Sequence, residues 1–250
     1  MKVMLKDSSG IIEGVIWEDA LVYFPLFEID DIVFVEGIVS QYHGLQITIA
    51  NIKPVPAEAV DISNFISPSP VNIFALKQEL TGYIKSIRHP SIIELLQKVF
   101  SGKMMEDFCC CPGGRSIHHA YSGGLLKHTI EVASIAKNFS AIHENLNHDI
   151  LISGALLHDI GKTREYDLKS VSFRLTDKGQ LYGHLVLGRD LLLQLTSSIK
   201  GFPVELEDEI GHMMLSHHGH KEWGSPEVPK TLEAFALFHA DLSSARMDQA

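Results

Sequence analysis

Up to residue 56 the apolar positions alternate with polar ones in short runs, and beyond residue 71 they recur every three or four residues. "IIEGVIW", "DIVFVEGIVSQY" and "LQITIANI" carry the two-residue period of half-buried strands. "YHGL" supplies a hairpin turn between the last two. The stretch "PVPAEAVDISNFISPSPV", with four prolines and few charges, reads as a linker. Helical spacing then begins with "NIFALKQELTGYIKSI" and "HPSIIELLQKVF" and continues in longer amphipathic segments. One interruption, "SVSFRLTDKG", has the pattern of an exposed β-hairpin. The pattern therefore predicts an α+β multidomain chain: a small antiparallel β domain over 1–56, a linker over 57–71, and a helical domain over 72–250. There is no internal repeat and no low-complexity tract.

Several polar residues break the apolar faces of these helices. In "SGGLLKHTIEVASIAKNF" the inner face is Leu125, Val132, Ala136 and Phe139, and His128 shares it. "GALLHDIGKTREY" ends an apolar run with His158 and Asp159, then Gly161 and Lys162. Gly161 sits where a left-handed helix cap would fall, and a histidine in the last turn suits the helix dipole, but an aspartate there does not. In "PVELEDEIGHMMLSHHG", opened by Pro203 and closed by Gly219, the stripe Leu206, Ile210, Met213 leads to His217. His218 continues the adjacent row, whereas His212 falls with Glu205, Asp208 and Glu209 and reads as a solvated histidine. Asp241 aligns with Ala234, Phe238 and Ala245, and His184 with Leu187, Gly188 and Leu191. Each histidine alone reads as a satisfied core residue. A buried aspartate is costlier, because an unpaired charge away from water is strongly disfavoured. Together, imidazoles and carboxylates on the inner faces of successive helices can satisfy one another through shared cations.

Composition narrows the classes. With 250 residues and 45% hydrophobic content the chain can bury a large core. It has no apolar run of membrane-spanning length and no signal-peptide pattern, which predicts a cytoplasmic protein without a membrane partner. Cys109, Cys110 and Cys111 are consecutive, so no disulfide framework is implied; they read as a buried or loop-lining set of small residues, with a metal knuckle as the alternative. The net charge of −10 argues against a general nucleic-acid coat protein. Of 14 histidines, 12 lie between His118 and His239, within one region.

The ordered set His128, His158–Asp159 and Asp241 resembles the H…HD…D signature of the HD-domain metal-dependent phosphohydrolases, and His184 with His217 or His218 matches the extra histidines of two-metal members. "HHAYSGGLLKHT", "LLHDIGKT", "LTDKGQLYGHLVLG", "MMLSHHG" and "GSPEVPKTLEA" further resemble the bacterial YhaM-type 3′→5′ exoribonucleases, which carry an OB-fold ahead of the HD domain. The likeness covers most of the chain and includes the domain order. By this resemblance the β domain is OB-like and lacks its first strand, the "CCCPGGR" loop departs from the family pattern, and a homo-oligomer is left open. It also implies two divalent metal ions, Mn first, with Fe, Zn, Ni, Co or Mg compatible. Imidazole and carboxylate ligands suit such ions. His128, His158, Asp159 and Asp241 would take the first metal; Asp159 would bridge to a second at His184 and His217, with His218 ranked lower. Catalysis would rest on Asp159 and on Lys162, placed to meet a substrate phosphate.

The implied substrate is single-stranded RNA, with single-stranded DNA as an extension, degraded to nucleoside 5′-monophosphates. His119, Tyr121, Lys127 and Arg164 would line the substrate side, with Arg115 and Lys221 at the mouth. Residues 1–70 hold three Lys against ten Asp or Glu, giving 3 − 10 = −7, an unsuitable balance for a single-strand groove. Trp17, Tyr23, Phe24 and Tyr42 could stack bases, but core or hairpin packing is the expectation for most of them. Two other readings stay open: a phosphohydrolase of small or cyclic nucleotides, and a non-catalytic OB/HD binding module.

Overall fold

The computed structural model describes residues 1–41, 44–56, 59–61, 64–65, 69–114, 121–168 and 173–248. They form two compact units, Met1–Pro68 with Ser170–Arg174, and Ser69–Lys169 with Leu175–Ala250.

The first unit is built on four strands, β1 (Lys2–Asp7), β2 (Gly10–Val15), β3 (Val33–Gln41) and β4 (Leu45–Pro54), in the order β1-β2-β4-β3. Asp7 makes the first turn, its Oδ1 accepting from the Ser9 and Gly10 backbone N–H groups at 2.8 and 3.2 Å. β2 overlaps the predicted strand "IIEGVIW" and starts one residue earlier, and β1 before the turn is a strand the sequence reading did not name. β1 and β2 pair antiparallel from Lys2↔Val15 to Asp7↔Gly10, and β3 and β4 from Val33↔Pro54 to Gln41↔Leu45. β2 and β4 run parallel, Gly14 opposite Ile47, so the sheet is mixed and the expectation of a purely antiparallel one is corrected. The reason is the connection after β2. The helix α1 (Ala20–Tyr23) and a 3-10 turn (Phe24–Leu26) carry the chain far enough that β4 rather than β3 meets β2. Ile16, Ile49 and Ile52 form the core, with Val3, Leu5, Tyr23 and Phe27 against them. Trp17 and Phe24 are exposed, not core as expected; Tyr42 lies outside the described residues.

The second unit is helical. α2 (Ile73–Ser86) and α3 (Pro90–Val99) follow the predicted segments, α2 capped by Asn72 accepting from Ala75 N–H. α4 (Gly102–Cys110) ends in the cysteines, of which Cys109 and Cys111 are buried and Cys110 is exposed, correcting the reading of all three as buried or loop-lining. The functional face comes from α5 (Gly124–Ile142), α6 (His148–Leu157), the single-turn α7 (Lys162–Glu165), α8 (Asp177–Thr196), α9 (Val204–Ser216) and α10 (Leu232–Met247). α5 packs on α6 and α10, α6 also on α9 and α10, and α8 on α7 and α9, around Leu125, Val132, Leu151, Leu156, Met213 and Leu237. The expected β-hairpin over 170–179 is not formed among the described residues; one bridge, Tyr166 to Leu175, stands there. Thr176 accepts from Gly179 N–H at 2.9 Å and so starts α8 at Asp177, inside the predicted hairpin. Residues 170–172 of that segment lie outside the described set. Among the described residues no helix is long and apolar enough to cross a membrane.

Candidate metal centre

Each polar residue on an inner face points to one place. His128 comes from the second turn of α5, His158 and Asp159 from the end of α6, His184 from α8, His217 and His218 from the end of α9, and Asp241 from α10. His128, His158, His217 and Asp159 are almost wholly buried, Asp159 at 3% exposure.

Asp159 is the hub, and its two oxygens face different partners. Oδ2 lies 3.4 Å from His158 Nε2 and 3.7 Å from His128 Nε2. Oδ1 lies 3.4 Å from His184 Nε2 and 3.5 Å from His217 Nε2. Asp241 Oδ1 completes the first side, 2.9 Å from His128 Nε2 and 3.9 Å from His158 Nε2. Two clusters have ligand-type atoms close enough to share an ion: His128, His158 and Asp159; and His184, His217 and His218. His218, ranked lower in the sequence reading, thus stands with His217, their ring centroids 4.4 Å apart. No cysteine joins either cluster among the described residues.

The donor set fits a cation. Asp159 Oδ1 and His184 Nε2 are buried with no hydrogen-bond partner among the described residues. A buried carboxylate oxygen left so is costly, and a cation between the two atoms removes the cost. Three of the imidazoles are also held in the neutral form a ligand needs. Burial lowers the pKa of His128 and of His217, and it drives His218 down to about 3 with help from His217 and His184. For His158, burial is outweighed by Asp159, which raises it. Burial works to raise the Asp159 carboxyl, but Lys162 and His158 hold it well below the usual carboxylate range.

Every ring in the first four positions is also oriented from behind. His158 Nδ1 donates to Ala155 O and His217 Nδ1 to Met214 O, both at 2.8 Å. A carbonyl only accepts, so the proton sits on Nδ1 and the Nε2 lone pair faces Asp159. His184 Nδ1 lies 3.2 Å from Glu165 Oε1, which also accepts the His184 backbone N–H at 2.9 Å. The backbone is held there because Gly183 interrupts α8 at φ +69°. His128 Nδ1 lies 3.0 Å from Ser244 Oγ, which donates to Glu131 Oε2 at 2.8 Å.

Glu165, Ser244 and Glu131 were not singled out from the sequence. None breaks a periodic face, and only a carboxylate near the HD pair in "HDIGKTREY" offered a signal for Glu165. Such outer partners commonly set metal affinity. Glu165→Ala is expected to weaken divalent-metal binding roughly 10- to 100-fold in calorimetric titration. Unchanged affinity would remove Glu165 from the centre.

Gly161 corrects the expected left-handed cap: its φ is −60°. Glycine is needed for another reason, since a Cβ would lie 2.0 Å from His184 O and 2.6 Å from Gly188 N. Lys162 is buried rather than open to substrate, its Nζ 2.6 Å from Asp159 Oδ2 and also bonded to Gly113 O. His212 is half-buried, not solvated, its Nε2 accepting from Lys230 N–H at 2.9 Å.

The predicted substrate residues are scattered. Lys127 pairs with Glu131 at 2.8 Å, which ties it to the Ser244–His128 chain. Arg164 is exposed on α7 and bonds Gln194 Oε1, away from the imidazoles. Tyr121 is half-buried in the turn before α5, its pKa raised by burial and then by Asp248 and Glu131. Lys221 is exposed, 3.4 Å from Glu227. Arg115 and His119 lie outside the described residues.

Known proteins give this arrangement its context. The HD domain family model matches residues 125–246, the span from α5 to α10. The 3′-5′ exoribonuclease YhaM of Bacillus subtilis (strain 168) is 31% identical over 256 residues, covering 99% of this chain and 79% of the relative. The protein of the same name from Bacillus velezensis is 30% identical over 251 residues, covering 99% and 78%. No solved structure matches. With that likeness running the length of the chain, and the H…HD…D residues meeting at one point, the chain belongs to the YhaM family of HD-domain proteins.

Proposed function

We propose that this chain is a metal-dependent phosphodiesterase, a 3′→5′ exoribonuclease that shortens single-stranded RNA to nucleoside 5′-monophosphates. The observation that carries this reading is the division of the Asp159 carboxylate between two histidine sets, with Oδ1 and His184 Nε2 buried and unsatisfied. The activity in the relatives' names supplies the substrate class. His128, His158, Asp159 and Asp241 would hold one divalent cation. His184, His217 and Asp159, with His218 beside them, would hold the second, Mn being the first choice. Bound there, such ions provide Lewis acidity and make water a nucleophile at neutral pH.

The chain's own residues do the rest. Asp159, kept ionised, gives one oxygen to each histidine set. The hydrogen bonds behind the rings of His128, His158, His184 and His217 keep these four imidazoles aimed inward, so none of the four has to reorient when phosphate arrives. Lys162, buried against Asp159 Oδ2, balances the Asp159 charge, and its proposed part in meeting the substrate phosphate requires that pair to open. Burial of the cluster excludes bulk water, which strengthens each of these interactions. Tyr121, His119, Lys127 and Arg164 remain the proposed substrate-side residues, and a cytoplasmic setting is part of the proposal.

A time course with Mn²⁺ on a 5′-labelled single-stranded RNA tests the reading. The expected result is a ladder shortening from the 3′ end, with duplex resistant. Mid-chain cuts would make the protein an endonuclease. Turnover of mononucleotides or cyclic nucleotides alone would make it a small-nucleotide phosphohydrolase. No phosphoester turnover by metal-loaded protein would leave a binding module.

A further inference from the structure

The end of α9 carries a second array of rings beside the imidazoles. After His217 and His218 the chain turns at Gly219, φ +79°, where a Cβ would lie 2.2 Å from the Phe238 ring. The turn therefore lies flat on α10 and brings His220 and Trp223 over it. Their ring centroids are 4.5 Å apart, and His220 is 5.6 Å and Trp223 6.3 Å from Phe238. His239 also lies 4.8 Å from Phe238, and Phe235 lies 4.4 Å from His239.

Phe238 is buried, at 8% exposure, and alone accounts for locking the turn to α10. The ends of the array are different. Trp223 is 51% exposed and Phe235 58%. Packing gives no reason for two large rings to stay half in water next to a polar centre. Their position does. Phe238 lies one turn before Asp241 on α10 and on the same side of the helix, so the buried ring under the array is the neighbour of a metal-centre carboxylate, while Phe235, a further turn back, opens to solvent. Trp223 is reached from His218 through the Gly219 turn. Phe238 is thus three residues from Asp241, and Trp223 five from His218. Lys221 and Lys230 each stand 3.4 Å from Glu227, so both lysines are engaged with one carboxylate of this loop. A ligand held here is held by ring faces more than by charge, in keeping with the net charge of −10.

We propose that Trp223 and His220, over Phe238, with Phe235 joined to them through His239, form a platform on which bases of single-stranded RNA stack next to the scissile nucleotide. The proposal rests on the exoribonuclease reading and adds to it the surface that holds the chain being shortened. Stacking on rings tolerates every base, so this platform selects for an unpaired strand and not for a sequence.

The chain has two tryptophans, Trp17 and Trp223, so W17F leaves Trp223 as the one indole reporter. Metal-loaded W17F protein, titrated with a phosphorothioate-linked ten-nucleotide RNA, is expected to show saturable quenching of its fluorescence. Trp223→Leu, which keeps apolar bulk without a ring, is expected to raise KM for a ten-nucleotide RNA roughly tenfold, with most of the loss in KM rather than kcat. Trp223→Phe, which restores a ring, should recover most of it at a similar melting temperature. Unquenched Trp223 fluorescence, or Leu and Phe variants with the same KM as wild type, would overturn the platform while 3′ shortening by wild type keeps the exoribonuclease reading. Wild-type protein that shortens no oligonucleotide would overturn both.

Discussion

Asp159→Ala is expected to reduce phosphodiester turnover by at least about 10³-fold. The size follows from its double duty: one residue supplies an oxygen to each histidine set, at 3.4 to 3.7 Å. No neighbour replaces it, because Asp241 faces only the His128 and His158 side. The same substitution leaves the Lys162 ammonium buried without its 2.6 Å partner. Metal-free protein should therefore also lose about 3–5 kcal/mol of stability. The two effects separate in the double variant. Adding Lys162→Met removes the stranded charge and should restore most of the stability, seen as the urea midpoint, but none of the activity. Near-normal turnover by Asp159→Ala at matched metal content would falsify the assignment of this carboxylate.

Gly161→Ala is the substitution with the largest expected effect on the fold. The added Cβ would meet backbone, the His184 carbonyl at 2.0 Å and the Gly188 nitrogen at 2.6 Å, and backbone cannot rotate away as a side-chain tip can. The α7 turn and α8 must separate, at about 2–4 kcal/mol. Because the displaced residue is His184, metal affinity should fall together with stability. Urea unfolding and metal titration of the same preparation check the pair. A stable variant with lowered metal affinity would show that the strain is absorbed locally at His184, whereas one unchanged in both would mean that the contact is looser than described.

Much of the metal centre was legible because it depends on local spacing. A polar residue on an apolar helical face has a position that periodicity reveals, and His128, His184, His217 and Asp241 each break such a face. Their order along the chain added the resemblance. What stayed hidden depends on contacts distant in sequence. Gly161 looks like a helix cap locally and is in fact a point of close approach to α8. Glu165 lies in a single polar turn with no period to violate, and its role is created by the kink at Gly183. The parallel pairing of β2 with β4 could not be read from strand patterns, since alternation fixes the face a residue takes but not the neighbour of its strand. Aromatic residues misled in the β unit for the same reason: Trp17 and Phe24 have core-type side chains, and only the path of α1 puts them outside.

The carbonyls behind two of the imidazoles limit how proteins of this plan can diverge. His158 and His217 are keyed by Ala155 and Met214 main chain one helical turn earlier, an arrangement that no side-chain replacement at those two positions alters. His128 and His184 lean instead on Ser244 with Glu131 and on Glu165, whose hydroxyl and carboxylates a single codon change can remove or reshape. Heritable tuning of metal preference therefore has two open channels and two closed ones. The open channels lie on opposite sides of Asp159, so each of the two histidine sets can drift in donor strength while the other stays fixed.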